Sequence, residues 1–234
     1  MAKMIGMSRN INIQWLNKTV ELINEGHSAA DIKDLLNEYL SFEIKSPTNL
    51  RKTREILLKI WVYEDEINLK IREEAIKLFN QYPEYRVCIH WSMILAAYPV
   101  FGDMCKLIGK MSEFQDEVTL GQIKQKLFDE WGERTTLYHS IDKLVATLKS
   151  FDVLTCDKPG KYRINKINIA NDQIDLLLVH AAMLVDESGY YSFSELNNLM
   201  YLFPFTYNLK KELFAMDNRF VINNFGGELT VGLA

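Results

Sequence analysis

Residues Glu117 to Lys166 read EVTLGQIKQKLFDEWGERTTLYHSIDKLVATLKSFDVLTCDKPGKYRINK, and their spacing decides the fold. Thr119 has the side chain of an N-cap, and Leu120, Ile123, Leu127 and Phe128 or Trp131 share one face of a helix from Leu120 to Trp131. Gly132 stops it. After Gly132-Glu133-Arg134, Thr135 or Thr136 can cap a second helix. Its apolar residues Leu137, Ile141, Leu144, Leu148 and Phe151 recur at intervals of four, three, four and three. That recurrence makes one unbroken buried stripe. The face left over carries Arg134, Thr136, His139, Lys143 and Lys149, side chains able to donate to phosphates or base edges, with Thr135 at its start. Past Phe151 the period becomes two. Val153-Leu154-Thr155-Cys156, the turn Asp157-Lys158-Pro159-Gly160 and Lys161-Tyr162-Arg163-Ile164 read as a hairpin. Two helices, a tight connection and a hairpin spell a winged helix-turn-helix over 116–168. Lys158, Lys161 and Arg163 fall at the hairpin's tip and return strand, where a wing touches a nucleic-acid backbone.

The charge distribution points the same way. The stretch has nine Lys and Arg against seven Asp and Glu, a net of +2, while the whole chain sums to −4, so the remainder carries −6. The positive charge is local. With a pI near 5.7, any nucleic-acid site is a patch on an acidic body, and its binding is expected to be salt-sensitive. The same fold also serves as a protein–protein module, and a helical subdomain with merely solvated basic residues would show the same pattern.

Outward from this segment, 48% hydrophobic and 25% charged residues over 234 positions describe an ordinary globular chain with one sizeable core or two small ones. Cys88, Cys105 and Cys156 lack any Cys-x-x-Cys spacing and read as reduced thiols of a cytoplasmic protein. Met1 to Asn10 has an early Lys3 but no apolar h-region, so no secretory signal is expected. The longest apolar runs, Met93 to Phe101 and Leu176 to Val185, fall well short of the roughly 20 residues that span a bilayer.

Residues 1–115 read as a helical domain. Helices are expected over Ile13–Ile23, from Ser28 with a capping-box Asp31 to a break at Ser46-Pro47, and from an Asn49 cap to about Tyr63. The last has Leu50, Leu57, Ile60 and Trp61 inward and Arg51, Lys52, Arg54 and Lys59 outward, a second candidate contact with nucleic acid. Further helices follow over Ile67–Asn80, Glu84–Tyr98 and Val100–Phe114, with Pro99 breaking the chain between the last two. After the wing, residues 169–234 are expected to pack on the rest. Asn171 or Asp172 caps a helix, apolar nearly all round, to about Asp186. Shorter helices follow over Ser194–Leu202 and Tyr207–Met216, and a hairpin turns at Phe225-Gly226-Gly227.

Chemistry is sparse. His27, His90, His139 and His180 lie on different predicted helices without metal-ligand spacing, and His90 and His180 sit among apolar residues. No phosphate-binding loop, dinucleotide glycine motif or nucleophile elbow appears. No cofactor or metal is expected, and no catalysis.

Three stretches carry a resemblance. Asn49-Leu50-Arg51-Lys52-Thr53-Arg54, Ala97-Tyr98-Pro99-Val100-Phe101-Gly102-Asp103 and Trp131-Gly132-Glu133-Arg134-Thr135-Thr136 make the chain similar, over most of residues 10–165, to BrxA of the BREX bacteriophage-exclusion systems. The resemblance implies a cytoplasmic, non-enzymatic, mainly α protein, in part like the RNA-binding factor NusB, that is able to bind DNA; with the physical reading of the residues, the expected partner is double-stranded DNA. The expected architecture is a helical bundle with a winged helix-turn-helix segment and a small C-terminal β-hairpin. The expected contacts are Arg134, Thr135, Thr136, His139, Lys143, Lys158, Lys161 and Arg163, with Arg51, Lys52 and Arg54 from the early helix. A protein–protein adaptor among other BREX proteins, and RNA binding in the manner of NusB, are the rival readings. No membrane partner is expected.

Overall fold

A computed structural model of the chain describes residues 5–186, 188–225 and 227–234. The protein is mainly helical. Helices α1 (Ile13–Asn24), α2 (Ala29–Ser41), α3 (Pro47–Trp61), α4 (Glu66–Gln81), α5 (Arg86–Ala97) and α6 (Pro99–Ser112) come first. Strand β1 (Glu117–Thr119), α7 (Leu120–Trp131), α8 (Thr135–Ser150), β2 (Leu154–Lys158) and β3 (Lys161–Ile164) follow. The chain closes with β4 (Ile167–Asn168), α9 (Asp172–Val185), β5 (Tyr190–Ser192), α10 (Phe193–Leu196), β6 (Phe205–Thr206), α11 (Lys211–Met216), β7 (Phe220–Phe225) and β8 (Glu228–Leu233).

Local chemistry sets most of the boundaries. Asn12, Ser28, Asp65, Thr119 and Asn171 each accept a backbone N–H at the helix start they precede, and Ser28 and Thr119 form full capping boxes with Asp31 and Gln122. Pro47 and Pro99 occupy first-turn positions of α3 and α6, where a missing N–H costs nothing. Pro47 therefore opens a helix, with Ser46 as its cap, where the sequence reading had placed a break and an Asn49 cap. The helices on either side of Tyr98 meet at 118°.

α5 and α9 form the centre. Each is buried nearly all round, and they lie against one another and against α4. Trp91 of α5 anchors the C-terminal residues: its ring meets Phe101, Phe203 and Phe205 edge-on, and its Nε1 donates to the Tyr201 carbonyl at 3.1 Å. The buried residues from α1 to β8 form one continuous core. Among the described residues no single helix is long and apolar enough to cross a membrane.

Three small sheets complete the fold. β1, β3 and β2 are antiparallel in that order, so Val118 lies opposite Tyr162, and β1 joins the hairpin as a third strand that the sequence did not disclose. β4 and β6 pair in parallel, and β5, β8 and β7 are antiparallel. The C-terminal hairpin is where the sequence puts it, although Gly226 of its expected turn lies outside the described residues. The helix expected over Ser194–Leu202 is instead the single turn α10, capped by Ser192, followed by a 3₁₀ turn at Met200–Leu202. Likewise only Lys211–Met216 of the expected Tyr207–Met216 helix forms.

Candidate nucleic-acid interface

The connection from α7 to α8 sets the aim of the expected contact helix. Gly132 adopts φ +77°, a value that favours glycine, and Arg134 rather than a threonine takes the N-cap position with extended backbone. Among the described residues no side chain caps α8. Arg134 instead donates from its guanidinium to the Trp131 carbonyl at 3.1 Å. Thr135, Thr136 and His139 are exposed on the first turns of α8, and Lys143 is half-buried one turn further on.

A segment with no periodic signal of its own narrows that helix's free surface. Residues 5–11 run along α8: Ser140 Oγ donates to the Gly6 carbonyl, the Ile11 N–H to Thr147 Oγ1, and Ser150 Oγ to the Ile11 carbonyl, at 3.2, 3.1 and 2.8 Å. Ser140 and Thr147 are buried beneath it. α8 is thus covered on two faces.

α3 stands across from the remaining strip. Between the two helices lies a groove of about 770 Å³, bounded by Arg51, Lys52 and Lys59 of α3 and by Arg134, Thr136 and His139. Its floor is the buried set Ile5, Met7, Ile56 and Tyr98. Gly6 lies flat on the Tyr98 ring, where an added Cβ would come within 2.7 Å of Tyr98 Cε1, and the Lys59 ammonium is 4.8 Å from the same ring's centroid. Burial, aided by Glu55, holds the Tyr98 hydroxyl well above the ordinary tyrosine range. A second hollow of about 540 Å³ continues the groove, sharing Ser8, Arg9 and His139 and adding Lys143. Arg9 ties its far side to α3 through a 3.0 Å bond to Asn49 Oδ1. Lys59 lies on this surface with the outward cations of α3, as its helical position implied, whereas Arg9 and Tyr63 are parts of it that the sequence offered no means of placing.

Two of the expected contacts are otherwise engaged. Arg54 faces inward, 7% exposed: its guanidinium donates from Nη1 to Asn37 Oδ1 at 2.8 Å and from both Nε and Nη2 to Glu55 Oε1. The expectation that it faces outward is corrected, because α2 packs over that side of α3. Burial pushes the Glu55 carboxyl up, yet hydrogen bonds from Arg54 and Tyr63 outweigh it and hold the group below the ordinary carboxylate range. Among the described residues Glu55 is the one acidic residue lining the main groove, and its charge is compensated in place by Arg54. Arg163 is paired with Asp157 across the hairpin.

Lys158 and Lys161 are exposed and, among the described residues, make no ion pair. They line neither hollow. Their position follows from the Leu120 N–H, which donates to the Gly160 carbonyl at 2.9 Å and fixes the hairpin tip to the start of α7. Arg134 follows the end of the same helix. The 12 residues of α7 separate tip and groove by ~18 Å at the usual rise.

The four histidines assemble no site. His90 bonds Asn17 Oδ1 at 2.9 Å, and burial, with Arg86 nearby, lowers its pKa to about 3. Burial lowers His180 to about 4. Among the described residues no His, Cys, Asp or Glu cluster could hold a metal ion. No family model, curated protein or solved structure matches this chain.

Proposed function

We propose that the protein is a non-catalytic double-stranded DNA-binding component of a phage-defence system, as its resemblance to BrxA implies. One observation carries the reading: α3 and the start of α8, about eighty positions apart in sequence, bring Arg51, Lys52, Arg134 and His139 to the walls of a single groove. In this view β1, α7, α8 and the β2–β3 ribbon are a winged helix, and α1–α6 are the NusB-like bundle.

The mechanism is charge placement. Phosphates would meet Arg51, Lys52, Arg134 and Lys143 at the groove and Lys158 and Lys161 at the ribbon. The ~18 Å between the two sets is roughly half of the 34–36 Å turn of a B-form duplex. One duplex is long enough to reach both. Affinity would come from releasing counterions, and specificity would be low, since Thr136 and His139 are the few groups placed for base edges. The acidic remainder of the surface opposes non-specific engulfment and leaves the defence partners, other BREX proteins, as candidates for the rest of the surface.

Mobility shift on a random duplex tests this reading. The Lys143→Glu/Lys161→Glu double variant is expected to lose binding while its circular dichroism stays unchanged. Wild-type affinity in that variant sinks the proposed edge. An excess of RNA competing better than duplex would move the assignment to RNA.

A further inference from the structure

We infer that the groove between α3 and α8 accepts unpaired nucleotides, so that the protein prefers duplex carrying a single-stranded overhang to blunt duplex. The inference rests on the duplex-binding reading above and concerns what fills its site. A hollow of about 770 Å³ with buried Ile5, Met7 and Ile56 for its floor is too small in volume to take in a duplex and has the apolar base a solvated phosphate run does not need. Pockets of ~300–1,000 Å³ suit small, flat ligands. Its walls are cationic on both sides, Arg51 and Lys52 against Arg134, and Glu55, the only carboxylate lining it among the described residues, is held by Arg54 and Tyr63. A cationic groove with aromatic faces within it is the combination that tracks a single strand.

The aromatic faces are Tyr63 and His139. Tyr63 follows the end of α3, is 40% exposed, and has its hydroxyl fixed by a 2.8 Å bond to Glu55 Oε2, which leaves the ring presented to the groove. His139 faces the same space from α8 and lines both hollows. Tyr98 serves differently. Its ring is buried under Gly6 and Lys59 and closes the floor without being open to stacking. A strand end continuing from a duplex held on Arg51, Lys52, Arg134 and Lys143 would lay its bases on Tyr63 and His139 in the hollow those cations rim. An acidic apolar peptide would find the same charge. It would have no use for two separated aromatic rings between facing cations, and the count of cations over carboxylates favours a phosphate on every unit.

Competition between a blunt random duplex and the same duplex bearing a short single-stranded overhang tests the inference with the full chain. The overhang is expected to raise affinity roughly tenfold through stacking. Tyr63→Ala should abolish that gain, read as the ratio of overhang to blunt-duplex affinity within the variant itself. Tyr63→Phe keeps the ring, loses only the Glu55 bond, and should retain the gain, which separates stacking from any effect on folding. Equal affinity for the two duplexes, or a gain that survives Tyr63→Ala in a folded protein, overturns the inference while leaving duplex binding intact. Failure to bind either duplex overturns the underlying reading, and this one with it.

Discussion

Arg54 and Asp175 show how much a charged side chain's role depends on what is packed over it. Arg54 sits among exposed cations in sequence, yet its guanidinium spans from Asn37 on α2 to Glu55 on α3. Arg54→Ala should therefore destabilise the fold by about 2 kcal/mol, the range for hydrogen bonds to a charged group, in urea unfolding. Arg51→Ala, at an exposed position, should leave the midpoint in place and weaken DNA binding. Equal stability of the two variants would contradict the placement of Arg54. Asp175, buried at the start of α9 with Oδ1 unbonded among the described residues, has its pKa raised by burial from 3.8 to about 7, against the pull of the Asn208 N–H and of Lys210 and with the push of Asp172. Its folded pKa lies above the unfolded one, so the native state holds the proton longer. This group's contribution is full below about pH 4, falls as pH rises, and levels off above about 7. His90 and His180 act oppositely: their pKa values are lowered from 6.5 to about 3 and about 4, so their contribution is present above 6.5 and lost on acidification. Asp175→Asn should raise stability at pH 8 by on the order of 2 kcal/mol and change little at pH 4. A variant whose difference from the parent does not grow with pH between those values rules out the raised carboxyl.

Elements were legible in the sequence wherever one face decided them. α7, with Thr119 as cap and Gly132 as stop, is as the pattern draws it, and so are α1, α4 and α9 to within a residue or two. β1 was not, because three residues with only Val118 buried make no period, and their partner β3 lies beyond two helices. The turn α10 was extended too far because Leu199, Tyr201 and Leu202 continue an apolar run, and only packing reveals that they clamp α6 as a 3₁₀ turn. The candidate site was legible in halves. Each helix announced its cations, but the joining of position 51 to position 134, and the cover of residues 5–11 over Ser140 and Thr147, exist only in three dimensions. The α6 clamp itself can be tested. Gly109 leaves no room for a Cβ, which would fall 2.5 Å from the Met200 carbonyl oxygen. A backbone atom cannot swing away as a side chain can, so Gly109→Ala should cost about 1–3 kcal/mol as overpacking, despite alanine's better helix propensity. A Tm unchanged or raised in Gly109→Ala would show that this contact is looser than drawn. DNA affinity measured well below the transition should be unaffected, since Gly109 lines neither hollow of the interface.

At the scale of the whole molecule, the question is whether one duplex reaches both cationic sets on a chain of net charge −4. The hairpin tip is fixed to the start of α7 and Arg134 follows its end, so the two sets act on one ligand or on separate ones, or one of them is idle. Salt dependence distinguishes these cases. Each neutralised phosphate contributes about −0.9 to the slope of log affinity against log salt concentration. With Arg51, Lys52, Arg134 and Lys143 at the groove and Lys158 and Lys161 at the ribbon, the slope should be about −5. Lys158→Gln/Lys161→Gln should make it shallower by about 2, Arg51→Gln/Lys143→Gln by about 2, and the combined variant by about 4. Additivity is the informative part, because sets bound to separate molecules would give two affinities with individually shallow slopes instead of one steep one. Arg163 supplies an internal control: it is already paired with Asp157, so Arg163→Gln should alter the slope by much less than either lysine. Fluorescence anisotropy on one labelled random duplex over a salt series measures all of these. A ribbon variant with the parental slope would confine the contact to the groove between α3 and α8, and a parental slope near −2 would mean that fewer than half of these cations face phosphate.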